Sequence, residues 1–135
     1  MKNISVIGLG KLGICFALTL EKQGYSVVGV DVSEEYIKKI NEKILVSPEP
    51  NVEYSLEQSK NLTATTEIKM AMDHSDVLFI FVATPSLPNG RYDHAQIESV
   101  VKQLVQYTSP SNSKHIIIGC TTMPGYCDSV HERLQ

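Results

Sequence analysis

The sequence contains no tryptophan, few cysteines and no concentrated block of like charge. Cys15, Cys120 and Cys127 are odd in number and form no Cys-x-x-Cys pair, so neither a disulfide framework nor a metal site is predicted. The formal net charge of −3 is spread along the chain. Because binding to a phosphate backbone needs a concentrated basic face, nucleic acid is not expected as a partner.

Long hydrophobic runs are also absent. No segment approaches the roughly 18 apolar residues of a membrane-spanning helix, so no membrane partner is expected. The apolar stretch at residues 4–7 is too short for a signal peptide and runs directly into a glycine motif, which makes the cytoplasm the expected location. The scattered histidines are predicted to be ordinary surface or loop residues; they are His74, His94, His115 and His131.

What the chain does have is a regular alternation of strand-like and helix-like segments. Strands are predicted at residues 4–7, 26–30, 62–65, 77–82 and 116–118. Helices are predicted at residues 11–22, 33–43, 52–59, 67–73 and 93–107 and from about residue 126, with N-caps at Ser33 and Asp93. Such alternation indicates right-handed βαβ units around a parallel sheet, and therefore an α/β fold.

A Gly-x-Gly-x-x-Gly motif occupies residues 8–13, between the first strand and the first helix. Gly8 allows the tight turn, Gly10 lets the backbone approach a pyrophosphate, and Gly13 lets the helix pack closely on the sheet. Lys11 and Leu12 contribute backbone to the helix N-terminus, whose N–H groups and dipole favour an anion. This glycine loop (residues 8–13) therefore predicts a three-layer Rossmann fold with a dinucleotide site.

Asp31 ends the second strand, 18 residues after Gly13. A carboxylate at this position accepts hydrogen bonds from the adenosine ribose and repels a 2′-phosphate, and no arginine follows it, so NAD is favoured over NADP. Two other interpretations stay open. Asp31 could instead cap the following helix, and the glycines could form a packing turn in a fold that binds no nucleotide.

Two polar segments follow later strands, at residues 82–86 and 120–125. Ligands of open α/β sheets bind beyond the carboxyl ends of the strands, so hydroxyl groups here could contact the cofactor. Ordinary turn chemistry explains the same Ser, Thr, Pro and Gly residues equally well.

Taken in order, these motifs resemble the NAD-binding N-terminal domain of the UDP-glucose/GDP-mannose 6-dehydrogenase family. The resemblance covers essentially the whole chain, from the glycine loop through Asp31, residues 48–50, 82–86 and 89–93 to Thr121 and residues 124–125. The chain departs from the family pattern at Lys11 and Leu12, where Tyr-Val is common, at Cys15 and Ala83, where proline is common, and at Cys120, where serine is common.

The resemblance implies that the parent protein oxidises the C6 alcohol of a nucleotide sugar to a carboxylate, with two NAD reduced, and forms a homodimer. It implies that Asp31 and Tyr36 lie at the adenosine ribose, that Thr84 and Ser86 line the cofactor, and that Thr121 lies on the nicotinamide side. The family's cysteine nucleophile is expected downstream of residue 135. No catalytic residue is therefore assigned within this chain, which is expected to be inactive alone.

Residues 1–135 are accordingly predicted to be a partial NAD(P)-binding domain of five to six parallel, doubly wound strands, truncated before completion and without a central helix or substrate domain. One alternative is the N-terminal domain of a β-hydroxyacid dehydrogenase, which also begins with Gly-Leu-Gly-x-x-Gly. The segment containing residues 48–50 and the loop at residues 84–90 disfavour it. Another alternative is a non-catalytic NAD-binding module.

Overall fold

The computed structural model describes residues 2–135, which form a five-stranded sheet and six helices. The strands are β1 (Asn3–Ile7), β2 (Ser26–Val30), β3 (Leu62–Thr65), β4 (Val77–Ile80) and β5 (His115–Ile118). The helices are α1 (Lys11–Lys22), α2 (Glu34–Asn41), α3 (Val52–Gln58), α4 (Ile68–His74), α5 (Ala95–Tyr107) and α6 (Tyr126–Leu134). The predicted alternation of strands and helices is confirmed.

All strand pairs are parallel, and the strand order is β3-β2-β1-β4-β5. The chain builds outward from β1 through β2 to β3, and then crosses to the other side of β1 to begin β4. In the central register, Ile7 pairs with Val30 on one side and with Ile80 on the other. The doubly wound parallel sheet is therefore confirmed. The direction in which the chain adds new strands to the sheet reverses between β1 and β4.

Two hydrophobic clusters cover the two faces of the sheet. Successive residues of β1 belong to opposite clusters, since Val6 packs with α1 and α3, whereas Ile7 packs with α4 and α5. Both residues are almost completely buried. A parallel strand buried on both faces is the expected consequence of helices on both sides, and this gives the three predicted layers.

The start of α2 is as predicted, because the Ser33 hydroxyl accepts the Tyr36 N–H at 3.2 Å. The start of α5 differs. Its N-cap is His94 rather than Asp93, and the Asp93 carboxylate accepts the Ala95 N–H at 2.9 Å from one residue further upstream. Asp93 thus satisfies a first-turn N–H without occupying the cap position.

The predicted fourth strand is two residues too long, because β4 ends at Ile80. β1 ends at Ile7, and the chain turns away at Gly8, which has a φ of +94°. The Phe81 N–H still donates to the Ile7 carbonyl, but β1 does not continue beside Phe81. The pairing of β4 with β1 therefore ends there.

Within residues 2–135, no helix is both long enough and apolar enough to cross a membrane.

Candidate cofactor site

The predicted cofactor residues lie beyond the carboxyl ends of the strands, on one edge of the sheet. The Gly8 N–H donates to the Val30 carbonyl at 2.8 Å, and the Phe81 N–H donates to the Ile7 carbonyl at 2.7 Å. The segments that leave β1 and β4 therefore start side by side. Gly119 leaves β5 in the same direction. The glycine loop consequently begins where the winding of the sheet reverses, which is where open α/β folds bind their ligands.

Two glycines of the loop are required by the fold itself. A Cβ on Gly8 would lie 2.6 Å from the Phe81 carbonyl oxygen, and a Cβ on Gly13 would lie 1.8 Å from the Gly8 carbonyl oxygen. Gly8 also has a φ of +94°, which side chains disfavour. These two positions thus bring the loop and α1 close to β4, as the motif predicts.

Gly10 has a different environment. Its φ of −63° suits any residue, and a Cβ there would meet nothing within 4 Å. The fold therefore does not explain why this position lacks a side chain. An open space against bare backbone is what a pyrophosphate would need, so the loop fits a dinucleotide.

The N-terminus of α1 suits an anion. Gly10 is the N-cap, no side chain caps the helix, and the first turn contains no acidic residue. Lys11 and Leu12 are exposed there, Leu12 to 60%. Because the first N–H groups of a helix lack partners within the helix, they remain available to a bound phosphate.

Leu9 anchors the glycine loop, and sequence reasoning missed it. Its side chain is completely buried and packs on Gly29 of β2, where a Cβ would come within 2.7 Å of both Leu9 methyl groups. The Leu9 N–H donates to Asp31 Oδ2 at 3.1 Å, and the Leu9 carbonyl accepts the Tyr36 hydroxyl. An isolated glycine inside an apolar strand was the available signal, since it indicates close approach by another group.

Asp31 connects the glycine loop to the start of α2. Its other oxygen, Oδ1, accepts the Ser33 N–H at 3.2 Å. The helix cap itself is Ser33, so the alternative in which Asp31 is merely the cap is not what the structure shows. Each carboxylate oxygen can accept more than one hydrogen bond, so a half-buried Asp31 retains capacity for ribose hydroxyls.

Tyr36 lies close to both Asp31 and Cys15. Burial raises the pKa of the Tyr36 hydroxyl, and the nearby Asp31 and Cys15 raise it further. Tyr36 thus stays a neutral phenol and donates to the Leu9 carbonyl. Tyr36 therefore lies beside Asp31, and its hydrogen bond to Leu9 adds a second attachment for the loop.

The two later polar segments, residues 82–86 and 120–125, lie within what we term the Thr84 loop (residues 81–94) and the Thr121 turn (residues 119–125). Thr84 is half-buried, whereas Ser86 and Thr121 are exposed. The Phe81 ring covers Gly119, where a Cβ would lie 2.2 Å from the ring. The loop and the turn therefore pack against each other at their bases.

The same two segments are also joined further out, at Met123. The Met123 N–H donates to His94 Nε2 at 3.1 Å, and the Tyr92 N–H donates to the Met123 sulfur at 3.5 Å. Sequence reasoning assigned no role to His94 or Met123, and no local pattern marks them, because the contact spans 29 positions of the chain.

The three cysteines differ in their surroundings. Burial raises the pKa of the Cys15 thiol, with a further contribution from Glu49, and burial likewise raises the pKa of the Cys120 thiol. Cys127 is exposed, and its sulfur lies 3.8 Å from the Thr122 hydroxyl. Since the thiolate is the reactive form, these raised pKa values do not favour nucleophilic chemistry at Cys15 or Cys120.

A groove of about 860 Å³ lies at the outer edge of the sheet, between α5, β5 and α6. It includes Ile117, Cys127 and Arg133 but none of the predicted cofactor residues. Because it runs beside an edge strand rather than beyond strand ends, it is not the candidate cofactor site.

Comparison with known proteins agrees with this geometry. Residues 2–135 match the family described as the UDP-glucose/GDP-mannose dehydrogenase family, NAD binding domain. GDP-mannose 6-dehydrogenase of Pseudomonas aeruginosa is 37% identical over 132 residues, which are 95% of this chain and 30% of that protein. UDP-N-acetyl-D-mannosamine dehydrogenase of Methanocaldococcus jannaschii is 29% identical over 136 residues, 98% of this chain and 31% of that protein.

Solved structures show the same similarity. A ternary complex of GDP-mannose dehydrogenase from Pseudomonas aeruginosa superposes with a TM-score of 0.88 at 34% identity, over 97% of this chain and 32% of that one. The chain spans about 30% of the length of the GDP-mannose 6-dehydrogenases it matches. The match favours the nucleotide-sugar interpretation over the β-hydroxyacid one. The chain belongs to the UDP-glucose/GDP-mannose dehydrogenase family, and it is an NAD-binding Rossmann domain of that family.

Proposed function

We propose that this domain serves an enzyme that oxidises the C6 alcohol of a nucleotide sugar to a carboxylate while two NAD are reduced. The similarity to GDP-mannose and UDP-sugar dehydrogenases supports the reaction class. The observation that best supports the cofactor site is the open space at Gly10 near Asp31. This space lies where the winding of the sheet reverses between β1 and β4. In the whole protein we further propose a nucleotide-sugar substrate, a homodimer and a cytoplasmic location.

Residues 1–135 are proposed to be the cofactor part of that enzyme, with the substrate domain elsewhere in the whole protein. When bound, NAD supplies the hydride acceptor. The pyrophosphate is proposed to lie on the backbone at Gly10, Lys11 and Leu12, with Gly8 and Gly13 shaping the loop. Asp31 and Tyr36 are proposed to face the adenosine ribose.

The nicotinamide half is proposed to lie toward the Thr84 loop and the Thr121 turn, near Thr84, Ser86 and Thr121. These segments leave β4 and β5 beside the glycine loop, and Phe81 contacts both Gly8 and Gly119. A dinucleotide that crosses the sheet at its reversal point would therefore extend from Asp31 toward Thr121.

Calorimetric titration of the chain and of Asp31→Asn with NAD and NADP tests the cofactor assignment. The unmodified chain is expected to prefer NAD, because the Asp31 carboxylate repels a 2′-phosphate. Asp31→Asn is expected to weaken NAD binding about tenfold and to reduce the preference over NADP. Asp73→Asn, on an exposed carboxylate of α4, is the matched control and should change neither affinity. An unchanged preference in Asp31→Asn would contradict the proposal.

The reaction itself is tested on the whole protein. Titration with UDP-glucose and GDP-mannose in excess NAD is expected to release two NADH for each sugar oxidised with one of these substrates. One NADH per sugar, or oxidation of a small hydroxyacid instead, would contradict the proposed reaction.

A further inference from the structure

We propose that His94 is a positioning residue for the nicotinamide half of the cofactor site. It acts by holding the Thr121 turn at the Met123 backbone, and this inference rests on the proposed function. Met123 lies two residues after Thr121, and its N–H donates to His94 Nε2 at 3.1 Å. The bond is therefore close enough along the chain to orient the Thr121 backbone.

The chemistry of this bond defines the state of the imidazole. A backbone N–H can only donate, so Nε2 must carry its lone pair, and a neutral His94 must hold its proton on Nδ1. The bond thus needs an acceptor at the Nε2 position and not merely an aromatic ring. This requirement distinguishes positioning by hydrogen bonding from simple packing.

The ring of His94 is held from behind by α6 and α5. It lies on the Tyr126 ring with centroids 4.1 Å apart, and the Tyr126 hydroxyl donates to Glu98 Oε1 at 2.5 Å. Arg133 donates two hydrogen bonds of 2.9 Å to the same carboxylate. Since His94 is the N-cap of α5, both its backbone and its ring are fixed by helices.

The turn is held at a second point by the Thr84 loop. The Tyr92 N–H donates to the Met123 sulfur, and Tyr92 forms an isolated antiparallel β-bridge with Ser86. The Asp93 N–H donates to the Pro85 carbonyl at 2.8 Å, which ties the end of the loop back to its beginning. His94 and Tyr92 therefore join the two segments proposed to face the nicotinamide half.

The test compares His94→Gln, which keeps an acceptor near the Nε2 position, with His94→Phe, which keeps the ring but has no acceptor. Calorimetric titration of the full chain is done with NAD and with AMP. His94→Phe is expected to weaken NAD binding about fivefold, His94→Gln to stay within about twofold of the unmodified chain, and AMP binding to be unchanged in both. AMP reports only the Asp31 side, so it separates local positioning from general damage.

Amide hydrogen exchange at Met123 gives a readout that does not depend on the cofactor. Exchange is expected to accelerate in His94→Phe and to remain slow in His94→Gln. His131→Phe, at an exposed histidine of α6, is the matched control and should change neither exchange nor binding. If His94→Phe does not fold, His94→Asn replaces it, because its shorter amide does not reach the Nε2 position.

Unchanged NAD affinity in His94→Phe, or equal loss in His94→Phe and His94→Gln, would overturn the inference. Failure of the unmodified chain to bind either NAD or AMP would instead contradict the proposed function. In that case, Met123 exchange still tests the contact, since equal exchange rates in the unmodified chain and His94→Phe would overturn it.

Discussion

Gly10 and Gly13 belong to one motif but have different physical reasons for lacking a side chain. We expect Gly13→Ala to lower the free energy of unfolding by about 3 kcal/mol or more, because its Cβ would lie 1.8 Å from the Gly8 carbonyl oxygen. Gly10→Ala has free space and an ordinary φ, so its stability should stay within about 1 kcal/mol of the unmodified chain. Urea unfolding measures both.

The same pair separates folding from binding. Gly10→Ala is expected to weaken NAD binding at least about tenfold, since its methyl group would project into the space proposed for the pyrophosphate. A Gly10→Ala chain that binds NAD as well as the unmodified chain would show that the pyrophosphate lies elsewhere.

At the residue scale, the motif glycines and Asp31 could be predicted because their chemistry is local to a strand, a turn and a helix. Leu9 and His94 could not be assigned roles in this way. The packing of Leu9 depends on the absence of a side chain at Gly29, and the hydrogen bond of His94 depends on Met123, 29 positions away. Such roles exist only once the strands that bring the partners together have formed.

At the scale of elements, Glu98 joins α5 to α6. Hydrogen bonding from Arg133, together with that from Tyr126, lowers the pKa of Glu98 to about 2. Burial, together with the hydrogen bond to Glu98, raises the pKa of Tyr126 to about 12. The carboxylate is thus stabilised in the folded state, and so is the neutral phenol.

The sign of the pH dependence follows from the lowered pKa of Glu98. Its contribution to stability is present above the ordinary glutamate value and is lost as the pH falls through about 2. Relative to Glu98→Gln, the chain should be more stable by about 1–2 kcal/mol near neutrality, a range reduced for the partial exposure of the pair. Chemical unfolding from neutral to strongly acid pH measures the difference, and a constant difference would contradict the assignment.

Helix and strand positions were predictable to within about two residues, and the errors have tertiary causes. Ser33 caps α2 through a contact three residues away, which the local sequence contains. Asp93 has an equally suitable side chain for the N-cap of α5. In the structure the cap is instead His94, one residue later, and its ring accepts the Met123 N–H. The end of β4 depends on where β1 turns away at Gly8, which the residues of β4 do not encode.

At the scale of the whole molecule, we expect residues 1–135 to bind NAD without oxidising a nucleotide sugar. The thiols of Cys15 and Cys120 have raised pKa values, and Cys127 lies exposed on α6 beside the Thr122 hydroxyl. Incubation with NAD and either UDP-glucose or GDP-mannose should produce no NADH. Sustained NADH production that Cys15→Ser, Cys120→Ser or Cys127→Ser abolishes would contradict this expectation.

The α/β class, the order of the elements and the identity of the glycine loop were determined by the sequence alone. Hydrophobic periodicity, capping residues and glycine spacing act over a few neighbours, so they can be read without a structure. Only the tertiary structure decided that Leu9 fastens the loop to Asp31 and Tyr36, and that His94 and Tyr92 fasten the Thr121 turn. These contacts join segments that follow different strands, and the paired strands must come together before the partners can meet.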